Sequence, residues 1–131
     1  MADTFKSKTL VLANTNKTAL YTVPTTDDAS VPPTESTTAI IKSLRLYNSH
    51  SSNVLVTISF KDVDSDTGAN TESTLFKMYV PATDRTTDSF PLGNPVELLD
   101  NPIVANEGDI VYITAATADK IHAHLSVLEI T

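Results

Sequence analysis

The sequence predicts an all-β chain: an antiparallel β-sandwich, jelly-roll-like, built from about eight short strands. Three observations predict it. Residues 54–60 and 121–127 alternate apolar and polar side chains with period two, the signature of half-buried strands. Strand-like runs recur at close spacing, divided by Pro, Asn, Asp and Gly turn signals. No stretch shows a helical period.

The elements follow in order. Thr9–Ala13 (TLVLA) reads as a first strand, Asn14-Thr15-Asn16 as a turn and Thr18–Val23 (TALYTV) as a second strand closed by Pro24. Residues 24–37 (PTTDDASVPPTEST) are polar and proline-rich and read as an exposed loop, longer than most connections. The stretch Ala39–Phe60 reads as two long strands joined by the turn-forming Asn48–Asn53 segment, a hairpin onto which the other strands add. In 39–48, Ile41 has the wrong parity for Leu44 and Leu46, so a bulge near Lys42-Ser43 is expected. Residues 62–70 form the next hairpin loop. Residues 74–80 then alternate, with Phe76, Met78 and Val80 on one face and Leu75, Lys77 and Tyr79 on the other. Val96–Leu99, between prolines, reads as an edge piece. Glu107-Gly108-Asp109 turns into Ile110–Ala115, apolar on both faces and hence central. Asp119-Lys120 turns into the last strand, Ile121–Ile130. The expected core includes Val56, Ile58, Phe76, Ile113 and Leu125.

Length bounds the organisation. The 131 residues make a single domain, 1–131, large enough for a core without disulfides. There is no cysteine, which excludes stapling. No sustained apolar segment follows the N-terminal lysines, so neither a secretory signal nor a membrane span is expected. The net charge of −7 argues against nucleic acid as a partner. The charge is uneven. Residues 1–23 hold three lysines against Asp3, a balance of +2; the remainder holds 6 basic and 15 acidic residues, a balance of −9. A mildly basic N-terminal arm, residues 1–10, on an acidic body could dock onto a neighbouring copy, though a few solvated lysines at an end is the stronger reading.

Candidate chemistry is sparse. Asp62, Asp64 and Asp66 alternate as oxygen ligands for Ca²⁺ do, but Thr67 stands where an EF-hand loop needs Gly and Ser73 where it needs the bidentate Glu. Solvated aspartates in a hairpin loop are the better reading. His122 and His124 share a strand face but lack a third metal ligand, with His50 the one other histidine. No G-x-S-x-G, reactive cysteine or phosphate-binding glycine loop occurs. Asp27-Asp28 lies in a polar loop where nothing would raise a carboxylate pKa. No catalytic, cofactor or metal residues are therefore assigned, and an enzyme is not expected.

Three segments, TTAIIKSLRLYNSHSSNVLVTISFKD, LFKMYVPATD and PVELLDNPIVANEGDIVYITAATADKIHAHLSVLEI, together with Tyr21-Thr22-Val23-Pro24, resemble small β-sandwich virion proteins of tailed bacteriophages, marine ones especially. The resemblance covers most of 18–130, with the 24–37 loop as an addition. It implies a structural virion subunit, made in the host cytoplasm, whose partners are copies of itself and other virion proteins. The 1–10 arm and the 24–37 loop are the expected contacts. The motif is structural and brings no functional residues. The alternative is a receptor- or carbohydrate-binding module of a fibre, for which Tyr21, Tyr47, Tyr79, Tyr112 and the Asp62–Asp66 loop are the raw material. A β-domain belonging to an enzyme assembly is a weaker alternative, given the start at Met1.

Overall fold

Alternation resolves into two facing sheets. The computed structural model describes residues 3–24, 37–63, 70–82 and 96–130. Among them run nine strands: β1 (Asp3–Val11), β2 (Thr18–Thr22), β3 (Thr38–Asn48), β4 (Val54–Val63), β5 (Asn70–Val80), β6 (Val96–Glu97), β7 (Ile103–Ala105), β8 (Ile110–Ala115) and β9 (Ile121–Ile130). Sheet I has the order β1-β9-β3-β6, with β7 also on β3, and sheet II the order β2-β8-β4-β5. Every pairing is antiparallel.

The pairings are nested. β4 pairs with β5, β3 with β6 and β7, β2 with β8, and β1 with β9. Rolling up this ladder brings β9 beside β3 and β8 beside β4. That is the jelly-roll form of the sandwich. The short β6 and β7 together form one interrupted edge.

The core lies between the sheets. Ile41, Leu44 and Leu46 of β3, Val54, Val56 and Ile58 of β4, Ile113 of β8, and Ile121 and Leu125 of β9 are all essentially buried. The expected inward faces of 54–60 and 121–127 are the observed ones. Phe76 is corrected: it packs against the core from β5 but stays partly exposed, because β5 is an edge strand. The register of β3 on β9 shifts between Ile41 and Ser43, so Lys42 is the extra residue and Ile41 and Leu44 both point inward.

Residues 39–60 do not form a hairpin. β3 belongs to sheet I and β4 to sheet II, so the polar turn crosses from one sheet to the other. Buried Asn48 fixes this crossing. Its Nδ2 donates to the carbonyls of Ser52 at 2.9 Å and Val80 at 3.0 Å, while its Oδ1 accepts from the His50 N–H at 2.8 Å. One amide thus closes the turn and ties it to the end of β5. A second buried polar group, Asp109, accepts from the Val63 and Asn106 N–H groups, both at 2.8 Å, locking the 106–109 turn to β4. Gly108 supplies the positive φ of 86° that this turn requires. Among the described residues, no buried side-chain polar atom lacks a hydrogen bond, and no helix is long and apolar enough to cross a membrane.

The N-terminal segment differs from its expected form. From Asp3 on it is β1, an edge strand paired along β9 from Asp3↔Ile130 to Val11↔His122. Residues 25–36, most of the expected 24–37 loop, lie outside the described residues.

Candidate functional site

Two surface regions stand out, and both depend on β1. The first is the outer face of sheet I. Register places Phe5 opposite Leu128, Leu128 opposite Ile40, and Ile40 opposite Val104. These four side chains form an apolar row across β1, β9, β3 and β7, pointing away from the core. Phe5 is 73% exposed and Val104 61%. Lys42, the bulge residue, reaches over the Phe5 ring at 5.9 Å from its centroid. Apolar side chains directly opposite one another on a sheet pack together. A row with such exposed ends therefore presents a continuous surface rather than scattered single residues.

Farther along the same face, Thr9, Arg45, Tyr47, His122 and His124 line a hollow of about 230 Å³. Tyr47 meets His122 edge to face at 5.7 Å, Thr9 Oγ1 and His124 Nδ1 share a hydrogen bond at 3.0 Å, and Arg45 Nε pairs with Glu97 at 3.3 Å. His122 and His124 do share a face, as the sequence indicates. His50 sits in the β3–β4 turn, where its Nδ1 accepts from the Ser52 N–H at 2.9 Å. Among the described residues, no three His, Asp or Glu side chains converge as metal ligands.

The second region is a cleft of about 500 Å³ where β1 and β2 face each other across the sandwich, lined by Lys6, Lys8, Tyr21 and Glu129 among others. Irregular register between Ala19 and Tyr21 turns both Leu20 and Tyr21 inward. The Tyr21 hydroxyl donates to Glu129 Oε1 at 2.5 Å, and Lys6 Nζ lies 2.6 Å from Oε2. Glu129 is 5% exposed. Burial pushes its carboxyl pKa up, but the hydrogen bonds from Lys6 and Tyr21 and the Lys6 charge outweigh that, leaving it below its ordinary value. Burial first, then the bond to Glu129, pushes the Tyr21 hydroxyl well above its ordinary value. Glu129 is thus held as a carboxylate with both oxygens engaged. This cluster seams the two sheets at their open edge, and its groups are occupied with one another.

The remaining candidates are dispersed. Tyr79 and Tyr112 lie on the outer face of sheet II, and Lys17 Nζ covers the Tyr112 ring at 4.4 Å. With Tyr21 in the cleft and Tyr47 on sheet I, the four tyrosines form no common platform. Asp62 lies in β4, whereas Asp64 and Asp66, like Asp27-Asp28, lie outside the described residues. Sequence reasoning did not find the Phe5–Leu128–Ile40–Val104 row or the Lys6–Tyr21–Glu129 cluster. Each joins residues far apart in the chain, and only the register brings them together.

No protein-family model matches this chain, no curated protein matches its sequence and no solved structure matches its fold.

Proposed function

We propose that the chain is a structural component of a tailed-phage virion: a non-catalytic subunit, of the capsid-decoration, cement, neck or tail kind, that assembles with copies of itself and with other virion proteins. The observation that carries this reading is the apolar row on sheet I. Jelly-roll sandwiches serve as viral capsid and lectin domains alike, so the fold does not choose between assembly and sugar binding. The surface favours assembly. A sugar site calls for grouped aromatic rings, and the tyrosines are divided among the cleft, sheet I and sheet II, where Tyr79 and Tyr112 lie on different strands. A protein contact calls for a contiguous apolar patch, and Phe5, Leu128, Ile40 and Val104 supply one. The segments with the virion-protein resemblance, 37–62, 75–84 and 95–130, include three of these four residues.

The long strand edges also fit a subunit that associates through a face. Among the described residues, β1 and β5 each pair on one side only, and they carry Lys6, Lys8 and Lys77, charges that discourage edge-to-edge pairing. The test is to tag this chain, purify the tailed-phage particles it is expressed with through a density gradient, and locate the tag by electron microscopy. The expected result is regularly placed label on the particle. A chain that stays wholly in the unassembled fraction contradicts the reading.

A further inference from the structure

We propose that the outer face of sheet I is the contact surface for a second copy of this chain. The two faces stack across a two-fold axis parallel to the strands, so that the apolar row of one copy lies on that of the other. The inference rests on the reading of the chain as a self-assembling subunit, though not on the particle it belongs to.

Charge favours a second copy as the occupant. Charge also separates the two faces that copies could share: on the outer face of sheet II, Lys17, Lys61 and Lys77 against Glu72 leave +2, so two such faces repel. The outer face of sheet I is balanced. Its charged side chains, Asp3, Lys42, Arg45 and Glu97, sum to zero, and Arg45 and Glu97 already pair with each other. Two such faces meet without net repulsion between them.

Area points the same way. The nine residues of β1 give the face a length of about 30 Å, and four strands give it a width of about 19 Å. The plan area of about 600 Å², corrugated by side chains, is of the order of the ~800 Å² per partner of a standard interface. Sheets also stack face to face as a common mode of β packing.

The symmetry makes a specific demand. A two-fold along the strands reverses the row left to right. Phe5 of one copy then meets Val104 of the other, and Leu128 meets Ile40. Both ends of the row, the most exposed apolar side chains in it, are covered in the same step. Lys42, already over the Phe5 ring, sits beside the contact.

The chain has no cysteine, which allows a clean test. Phe5 and Val104 lie three strand spacings apart within one copy, about 14 Å. That exceeds the ~7 Å between Cα atoms that a disulfide tolerates. A disulfide in the double variant Phe5→Cys/Val104→Cys therefore forms between copies. Under mild oxidation the full chain with both substitutions is expected to give a covalent dimer on non-reducing gels, at least tenfold more than either single variant. In sedimentation equilibrium the unsubstituted chain is expected to dimerise, and Phe5→Ser/Val104→Ser to raise the dissociation constant at least tenfold. Tyr79→Ser, on the exposed outer face of sheet II, is expected to leave it unchanged. Unaltered circular dichroism spectra keep folding out of the comparison. A chain that stays monomeric up to several hundred micromolar overturns the proposal, as does a Phe5→Ser/Val104→Ser chain that dimerises as well as the unsubstituted one. Self-linking of a single Cys variant as strong as that of the double variant overturns the two-fold. Particle labelling is read independently, so failure here is distinguishable from failure of the virion reading.

Discussion

The outer faces of the two sheets are built by the same alternation and end up with different chemistry: a charged, mixed surface on one and a continuous apolar row on the other. On sheet II the outward positions of β4 and β8 include Thr57, Ser59, Lys61, Tyr112 and Thr114, with Leu55 opposite the 63% exposed Tyr79 of β5 as an apolar pair among them. Lys17 spans this face to reach Glu72 on β5 at 2.9 Å, crossing the Tyr112 ring on the way. On sheet I the corresponding surface carries Phe5, Leu128, Ile40 and Val104 in one row. Inward, the sheets are equivalent: Leu125 and Ile113 are both 0% exposed. The inward half of a strand pattern answers to the core and is interchangeable between sheets. The outward half answers to solvent or to a partner, and there the sheets part. Polar side chains linked by an ion pair suit water; an uncovered apolar row suits a second protein surface.

The largest expected effect concerns the strand that sheet I needs at its edge. Deleting residues 1–8 removes most of β1 and with it Lys6, leaving the buried Glu129 without its cation. The cost is expected to reach about 3–5 kcal/mol in urea melts, the usual penalty for a buried charge stripped of its partner. A melting curve that does not move would mean that β1 is a loose arm and that the sheet I face lacks one of its four strands.

Core truncations test the claimed inward equivalence. Leu125→Ala in sheet I and Ile113→Ala in sheet II are each expected to cost about 2–5 kcal/mol. Outward Phe5→Ser and Tyr79→Ser are expected to fall within about 0.5 kcal/mol of the unsubstituted monomer. A large loss from Phe5→Ser in the monomer would make the row part of the fold rather than a contact surface.

Tyr21→Phe is a smaller perturbation, expected to cost about 1–3 kcal/mol at neutral pH through the lost bond to a charged group. Its pH dependence has a definite sign. The folded-state pKa of Glu129 is lowered, so its contribution is full above the ordinary 4.5 and is lost as pH falls through the folded value. That of Tyr21 is raised, so its contribution is full below the ordinary 10.0 and is lost as pH rises above it. The stability difference between the unsubstituted chain and Tyr21→Phe should therefore be greatest between these limits and shrink on both sides. Chemical denaturation from pH 3 to 11 reads it, and a difference flat across that range would contradict the cluster's geometry.

Much of this fold was legible because burial writes alternation into the chain. Val54–Phe60 and Ile121–Val127 state their inward faces directly, and the mismatched parity of Ile41 and Leu44 announces the bulge at Lys42. Two things were not legible. A polar turn after an alternating strand looks the same whether the chain folds back in one sheet or crosses to the other; the choice rests on Asn48, whose amide finds the Val80 carbonyl only in the crossing. The first strand was read from Thr9, because Asp3–Lys8 has no apolar face. It is a strand because β9 offers an edge to pair with, and its inward Lys6 serves Glu129 rather than the core. The candidate surface was illegible for a related reason. Phe5, Ile40, Val104 and Leu128 are single apolar residues on four separate strands, and only the register aligns them.

Whether sheet I meets partners while sheet II meets water is decided by a competition for assembly. Differently tagged unsubstituted and variant chains are co-expressed in equal amounts, the unsubstituted chain is captured by its tag, and the variant chain carried with it is quantified by mass spectrometry. Phe5→Ser/Val104→Ser is expected to be depleted at least tenfold, whereas Tyr79→Ser is incorporated at parity. Equal incorporation of both variants, or depletion of Tyr79→Ser alone, would contradict that division between the faces.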